Sequence, residues 1–275
     1  MDLIAGVDNF DENGFALIKG ALERDVVSRL RELCLTEFSR AGVNTITDAL
    51  IKLPEIRSIL DVASLRTALK TILGPKFTVL PPSSIDRNRF GLFHTDTSSA
   101  EIAGYTAHKY PEFRVIVLGV YLQDNNQYGG GLRVVPGSHL KPDIYVKALS
   151  RKMQIRKEVD KSPFRLLLKR LSKGRWFGWH VKEFEDVPGQ IDVHSRSGDV
   201  LMWDMRLFHR ASPATVLGEG VKGGKIAIFF VLGRDNHISR SWFKYCKESG
   251  LVSKSWEEGV GRVSCPPDYE LISHA

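Results

Sequence analysis

His94 and Asp96 stand two positions apart in GLFHTDTSSA, residues 91–100. A neutral imidazole and a carboxylate are two of the three ligands of the 2-His-1-carboxylate set, which leaves open positions on a ferrous ion. Side chains at i and i+2 of a strand face the same way, so RFGLFHTD is expected to be a strand that presents both groups to one cavity. A third ligand then has to come from a later strand or strand end. The chain offers eight histidines. His209 is the choice, because it ends GDVLMWDMRLFHR directly after a strand-like run opened by Gly198 and Asp199. His139 closes a turn in PGSH, His180 and His194 flank an insertion, and His108, His237 and His274 have no strand context.

A sheet has to hold these three groups together. NGFALIKGALERDVVSRLREL, residues 13–33, begins with an apolar run around Phe15 to Ile18 and continues at helical spacing through Val26, Val27, Leu30 and Leu33. That pattern reads as strand, turn, helix. A second helix is expected from Leu60 to Leu73, stopped by Gly74 and Pro75. Beyond Pro75 come short runs rich in valine, isoleucine and aromatics: FTVL, FRVIVLGVYLQ, GLRVVP, GDVLMWDM and KIAIFFVLG. Glycine, proline, asparagine and aspartate separate them, and no βαβ alternation suggests a parallel sheet. The expected fold class is mainly β (α+β): a double-stranded β-helix, a jelly-roll or cupin-like barrel, with N-terminal helices packed outside.

One domain is expected over residues 1–275, with a basic, partly helical insertion at 141–190 between barrel strands. Such an insertion sits at the mouth as a lid or substrate wall. Residues 141–175 hold 12 Lys/Arg against Asp143, Glu158 and Asp160, so the net charge of +7 belongs to this segment and the rest is slightly acidic. A charge run of this kind is first a solvated face and second a seat for an anionic or carrier-linked small molecule. Nucleic acid or a membrane surface ranks third, since Trp176 and Trp179 alone are thin support for base stacking. GEGVKGGK, residues 218–225, is not a phosphate loop, because Ile226 stands where Ser or Thr should follow Lys225. A hairpin loop is expected there, and GGGLRVVPGSH is read as a turn and strand serving turn geometry.

At 43% hydrophobic and 26% charged residues the chain can bury a sizeable core, which excludes disorder over most of its length. No apolar run approaches the roughly 20 residues that span a bilayer, and MDLIAGVDNF has no basic start. Cys34, Cys246 and Cys265 lack the spacing of a disulfide framework or a zinc ribbon. A cytoplasmic location is expected, where a ferrous ion stays reduced.

Four segments in order resemble the phytanoyl-CoA dioxygenase family of Fe(II)/2-oxoglutarate-dependent oxygenases. They are the stretch at 13–33, FHTD at 93–96, GGLRVVPGSH at 130–139 and GDVLMWDMRLFH at 198–209, and the likeness spans residues 9–235 apart from the basic insertion. The resemblance implies that His94, Asp96 and His209 are the catalytic metal ligands, with Fe(II) as cofactor, 2-oxoglutarate as cosubstrate and O2 as oxidant. Family members that halogenate replace the carboxylate with a small residue, so Asp96 implies oxygenation. The family places an arginine at the head of the strand after the distal histidine, to pair with the far carboxylate of 2-oxoglutarate. Here Lys225 in GGKIAIFF stands in that place, a single ammonium donor instead of a bidentate fork. Arg89, Arg206 and Arg210 are the alternatives. The implied reaction hydroxylates a small organic substrate and releases succinate and CO2, with metal and cosubstrate supplying the difficult chemistry.

Two other readings stand beside it. One is a non-catalytic jelly-roll protein that binds an anionic ligand or polymer through the basic insertion, favoured by lysine at position 225. The other keeps the metal without the cosubstrate, as cupin-type dioxygenases do. The substrate itself is not encoded in any motif.

Overall fold

A computed structural model of the chain describes residues 6–142, 187–213 and 224–273. Ten strands occur among them: β1 (Phe15–Ile18), β2 (Thr45–Thr47), β3 (Phe77–Arg87), β4 (Val115–Tyr121), β5 (Leu132–Val134), β6 (Ile191–Val193), β7 (Val200–Asp204), β8 (His209–Ala211), β9 (Ile226–Arg234) and β10 (Tyr269–Leu271). Seven form one sheet in the order β1-β7-β4-β9-β3-β10, with β2 pairing the far end of β3, and β6-β5-β8 form a second sheet. Every pairing is antiparallel except that of the short β10, which runs parallel to β3.

Each of the five apolar runs expected after Pro75 is a strand. β4 is buried at every position, as a central strand covered on both faces should be. The fold is mixed α/β, and the described strands make two sheets, not a closed barrel. Helices also follow the strands as well as preceding them.

The strand, turn and helix expected near the start are β1 and the helix Arg24–Ala41. That helix buries Val27, Leu30, Cys34 and Phe38 and stops at Gly42, whose φ of 67° suits glycine. The helix expected from Leu60 begins at Ala63, because Val62 is extended and parts it from a 3-10 turn at Ser58–Asp61. Arg66 and Lys70 of this helix both reach Asp268, just before β10, with Arg66 Nε and Lys70 Nζ each 3.0 Å from the carboxylate.

Sequence reasoning missed the helix His237–Glu248, capped by the Asn236 side chain, which accepts the Ser239 N–H at 3.0 Å. Its buried face is Ile238, Trp242, Phe243 and Cys246. No helix among the described residues is long and apolar enough to cross a membrane. The basic insertion, with Trp176, Trp179 and His180, lies almost wholly outside the described residues, as does most of GEGVKGGK.

Candidate active site

His94 and Asp96 do meet His209, but RFGLFHTD is not the strand that was expected to bring them there. His94 forms only an isolated antiparallel bridge with His209: each N–H donates to the other's carbonyl at 2.9 Å. The chain then leaves the pairing, because Thr95 O accepts both the N–H and the hydroxyl of Ser98, at 3.1 and 2.7 Å. A Ser/Thr/Asp-rich stretch satisfies its backbone locally in this way and ends a ladder. Asp96 therefore sits in a turn, its N–H bonded to Met205 O at 2.9 Å. Convergence comes from the bridge and this tether, not from strand alternation.

His209 opens β8, opposite Val134 of β5. The PGSH segment braces it from one residue back. Val135 N–H donates to Phe208 O at 2.9 Å, and the Ser138 hydroxyl accepts the Phe208 N–H at 2.8 Å. His139 is buried outside the cluster, its ring against Gly14, where a Cβ would come within 2.4 Å of Nδ1.

The two imidazoles share one arrangement. Nδ1–H of His94 donates to Leu92 O at 2.7 Å, and Nδ1–H of His209 donates to Leu207 O at 2.9 Å. Each ring is thereby set in the tautomer that leaves Nε2 with a lone pair. Nε2 of His94 lies 3.5 Å from Asp96 Oδ1, and Nε2 of His209 lies 3.8 Å from Oδ2. Nitrogen and oxygen donors of the three residues all fall within 4.8 Å of one another. Trp203 Nε1–H donates to Asp96 Oδ2 at 2.9 Å and fixes the carboxylate. Gly119 gives Trp203 its room, since a Cβ there would stand 2.9 Å from the indole ring.

Burial pushes His209 down to about 4, so its ring is neutral. For Asp96 burial acts upward, but His209, His94 and the Trp203 bond outweigh it and hold the carboxyl below its ordinary value. For His94 burial acts downward and the bond to Asp96 outweighs it, so the net direction is up. Two imidazole nitrogens and one carboxylate oxygen on one side of an open cavity suit a divalent first-row metal.

That cavity, about 540 Å³, lies between the sheets: Val117, Trp203 and Phe229 line it from the large one, Leu132 and Ala211 from the small one. Lys225, immediately before β9, faces the same space. Its Nζ donates to Arg89 O at 2.9 Å and lies 4.9 Å from the centroid of the Phe90 ring. Burial brings its pKa down to about 8. Of the alternative cations only Arg89 lines the cavity, its guanidinium 3.6 Å from Asp86. Arg206 is held by Asp204 at 2.7 and 2.8 Å, and Arg210 lies over the Phe93 ring at 5.8 Å. Trp242 and Tyr245 complete the wall from the helix that was not foreseen. Their spacing of three on an amphipathic stretch was the available signal, and it reads equally as core.

Residues 89–215 match the family model described as phytanoyl-CoA dioxygenase (PhyH). HygX from Streptomyces hygroscopicus, crystallised with nickel and 2-oxoglutarate, is similar with a TM-score of 0.53 and 17% identity over 83% of this chain and 86% of that one. EctD from S. alaskensis with bound Fe gives 0.53 and 16%, over 83% and 75%. EctD with 2-oxoglutarate and 5-hydroxyectoine gives 0.54 and 16%, over 83% and 74%. At these identities the likeness to the solved structures is one of fold. No curated protein matches the chain in sequence. The stretch similar to the phytanoyl-CoA dioxygenase family, residues 89–215, spans just under half of the chain and carries all three residues of the His-Asp-His cluster.

Proposed function

We propose that His94, Asp96 and His209 hold Fe(II), that Lys225 anchors the distal carboxylate of 2-oxoglutarate, and that the enzyme hydroxylates a small organic substrate with release of succinate and CO2. The two sheets are read as the two faces of a double-stranded β-helix with the cavity between them. The observation that carries the reading is the commitment of both Nδ1 atoms to backbone carbonyls, which points both Nε2 atoms at one carboxylate on the wall that Lys225 shares.

Bound iron with the keto acid and O2 would supply the oxidising power. The chain's own residues have narrower tasks. Trp203 occupies one carboxylate oxygen of Asp96 and leaves Oδ1 for the metal. Lys225 offers a cation whose present partners, a carbonyl and the ring faces of Phe90 and Tyr121, are neutral, so a carboxylate can take it without breaking an ion pair. Phe229, Val231 and Val117 give the cavity an apolar wall.

A cavity of about 540 Å³ is within the range of small-molecule sites. Arg89 at its wall suits an anionic or carrier-linked substrate. A reducing cytoplasm suits both a ferrous ion and the free cysteines Cys34, Cys246 and Cys265. The test is succinate release from 2-oxoglutarate with ferrous iron and O2. Asp96→Ala is expected to lower it by at least about a hundredfold, given what removal of even outer-shell partners costs. Undiminished turnover in that variant would sink the assignment.

A further inference from the structure

We infer that Asn88 is the positioning residue for Lys225, and through it for the far carboxylate of 2-oxoglutarate; the inference rests on the role of Lys225 proposed above. β3 and β9 run antiparallel with Arg87 opposite Ile226, so Asn88 and Lys225 are the next pair past the ladder's end. Asn88 N–H donates to Lys225 O at 2.9 Å, as a ladder pair would. The return bond is different. Lys225 N–H donates to the side-chain Oδ1 of Asn88, also at 2.9 Å, in place of the main-chain carbonyl.

Asn88 has a φ of 55°, in the left-handed region that asparagine tolerates better than most side chains. This turn lets the strand end while its last pair stays bonded, and it carries the next two residues over the lysine. The Arg89 carbonyl accepts from Nζ at 2.9 Å and the Phe90 ring lies 4.9 Å from it. Only a residue that combines left-handed backbone with a short acceptor does both jobs. Glycine would supply the first and alanine neither.

The surroundings are cut to the same seat. A Cβ on Gly224 would fall 2.2 Å from Asn88 Oδ1, and one on Gly130 would fall 2.7 Å from Lys225 Cδ. The main chain is pinned on either side as well: Arg31 donates to Gly224 O at 2.6 Å, and Ile226 N–H donates to Gln123 Oε1 at 2.8 Å. Lys225 between them has its own N–H fixed by Asn88. Holding the ammonium in advance lowers the cost of ordering it when a carboxylate arrives.

The test compares 2-oxoglutarate with 2-oxobutyrate, which keeps the chelating keto acid and lacks the distal carboxylate. Equilibrium binding of each to nickel-loaded protein is measured for wild type, Asn88→Gly, Asn88→Ala and Lys225→Ala. Loss of one hydrogen bond should weaken 2-oxoglutarate about threefold to tenfold in Asn88→Gly and leave 2-oxobutyrate unchanged. Asn88→Ala adds backbone strain to the lost acceptor, so its loss for 2-oxoglutarate should be at least as large, again with 2-oxobutyrate unchanged. Equal loss for both keto acids, or no loss for either, overturns the inference. If Lys225→Ala binds 2-oxoglutarate as tightly as wild type, the proposed role of Lys225 fails. If Lys225→Ala weakens it and the Asn88 variants do not, Lys225 stands and Asn88 falls.

Discussion

His94 and His209 each bond a carbonyl two residues back in the chain, Leu92 and Leu207, so each ring is oriented by its own local backbone. Asp96 has no such local hold and depends on Trp203. Trp203→Phe keeps an aromatic ring and removes the donor, so it is expected to weaken metal affinity about tenfold or more while the fold survives, as a Co(II) titration would read. Lys225 supplies a pH signature. With its pKa at about 8 in the free protein, its ammonium is lost as pH rises through that value, so 2-oxoglutarate affinity should fall there. Lys225→Arg stays charged across the window and should remove the pH dependence; a lysine enzyme with flat binding between about pH 7 and 9 would remove Lys225 as the anchor. The types of these residues were legible, because H-x-D and a cation heading an apolar strand are short patterns. The supports were not: a left-handed asparagine and a tryptophan N–H become meaningful only when distant elements meet.

At the scale of elements, the runs with strong strand chemistry appear where their composition placed them. RFGLFHTD fails as a strand because the hydroxyls that follow His94 satisfy the backbone locally, a competition that alternation of side chains does not reveal. The PGSH turn acts through β8: Ser138 accepts the Phe208 N–H beside His209. Ser138→Ala removes that bond from a buried stretch, which should cost about 1 kcal/mol and lower both the melting temperature and metal affinity. Unchanged values of both would reduce the motif to a simple turn. The helix Ala63–Leu73 is tied to the tail through Asp268, whose carboxyl Arg66 and then Lys70 hold down at about 2. A depressed carboxyl pKa contributes stability above its unfolded value, and that contribution is lost as pH falls toward about 2. Asp268→Asn should therefore be less stable than wild type at neutral pH, with the difference shrinking in acid melts. A constant difference would contradict this linkage.

Across the whole molecule, chemistry and specificity have different sources. The three cluster residues all lie within the PhyH-matched stretch, 89–215, and between the two sheets, which is why the class of enzyme was readable from four ordered segments. The cavity's outer wall is drawn from elsewhere, with Trp242 and Tyr245 on the helix His237–Glu248 and Asp86 at the end of β3. Such wall residues carry no pattern distinct from core packing, so the substrate stayed illegible. The central claim is that one metal and one keto acid meet at His94, Asp96 and His209. Its most direct test is anaerobic addition of ferrous iron and then 2-oxoglutarate to the protein, watching for the weak visible charge-transfer absorption of a keto acid chelated to iron. The band should appear in wild type and vanish in His94→Ala; its persistence in His94→Ala, or its absence in wild type with iron bound, would contradict the account.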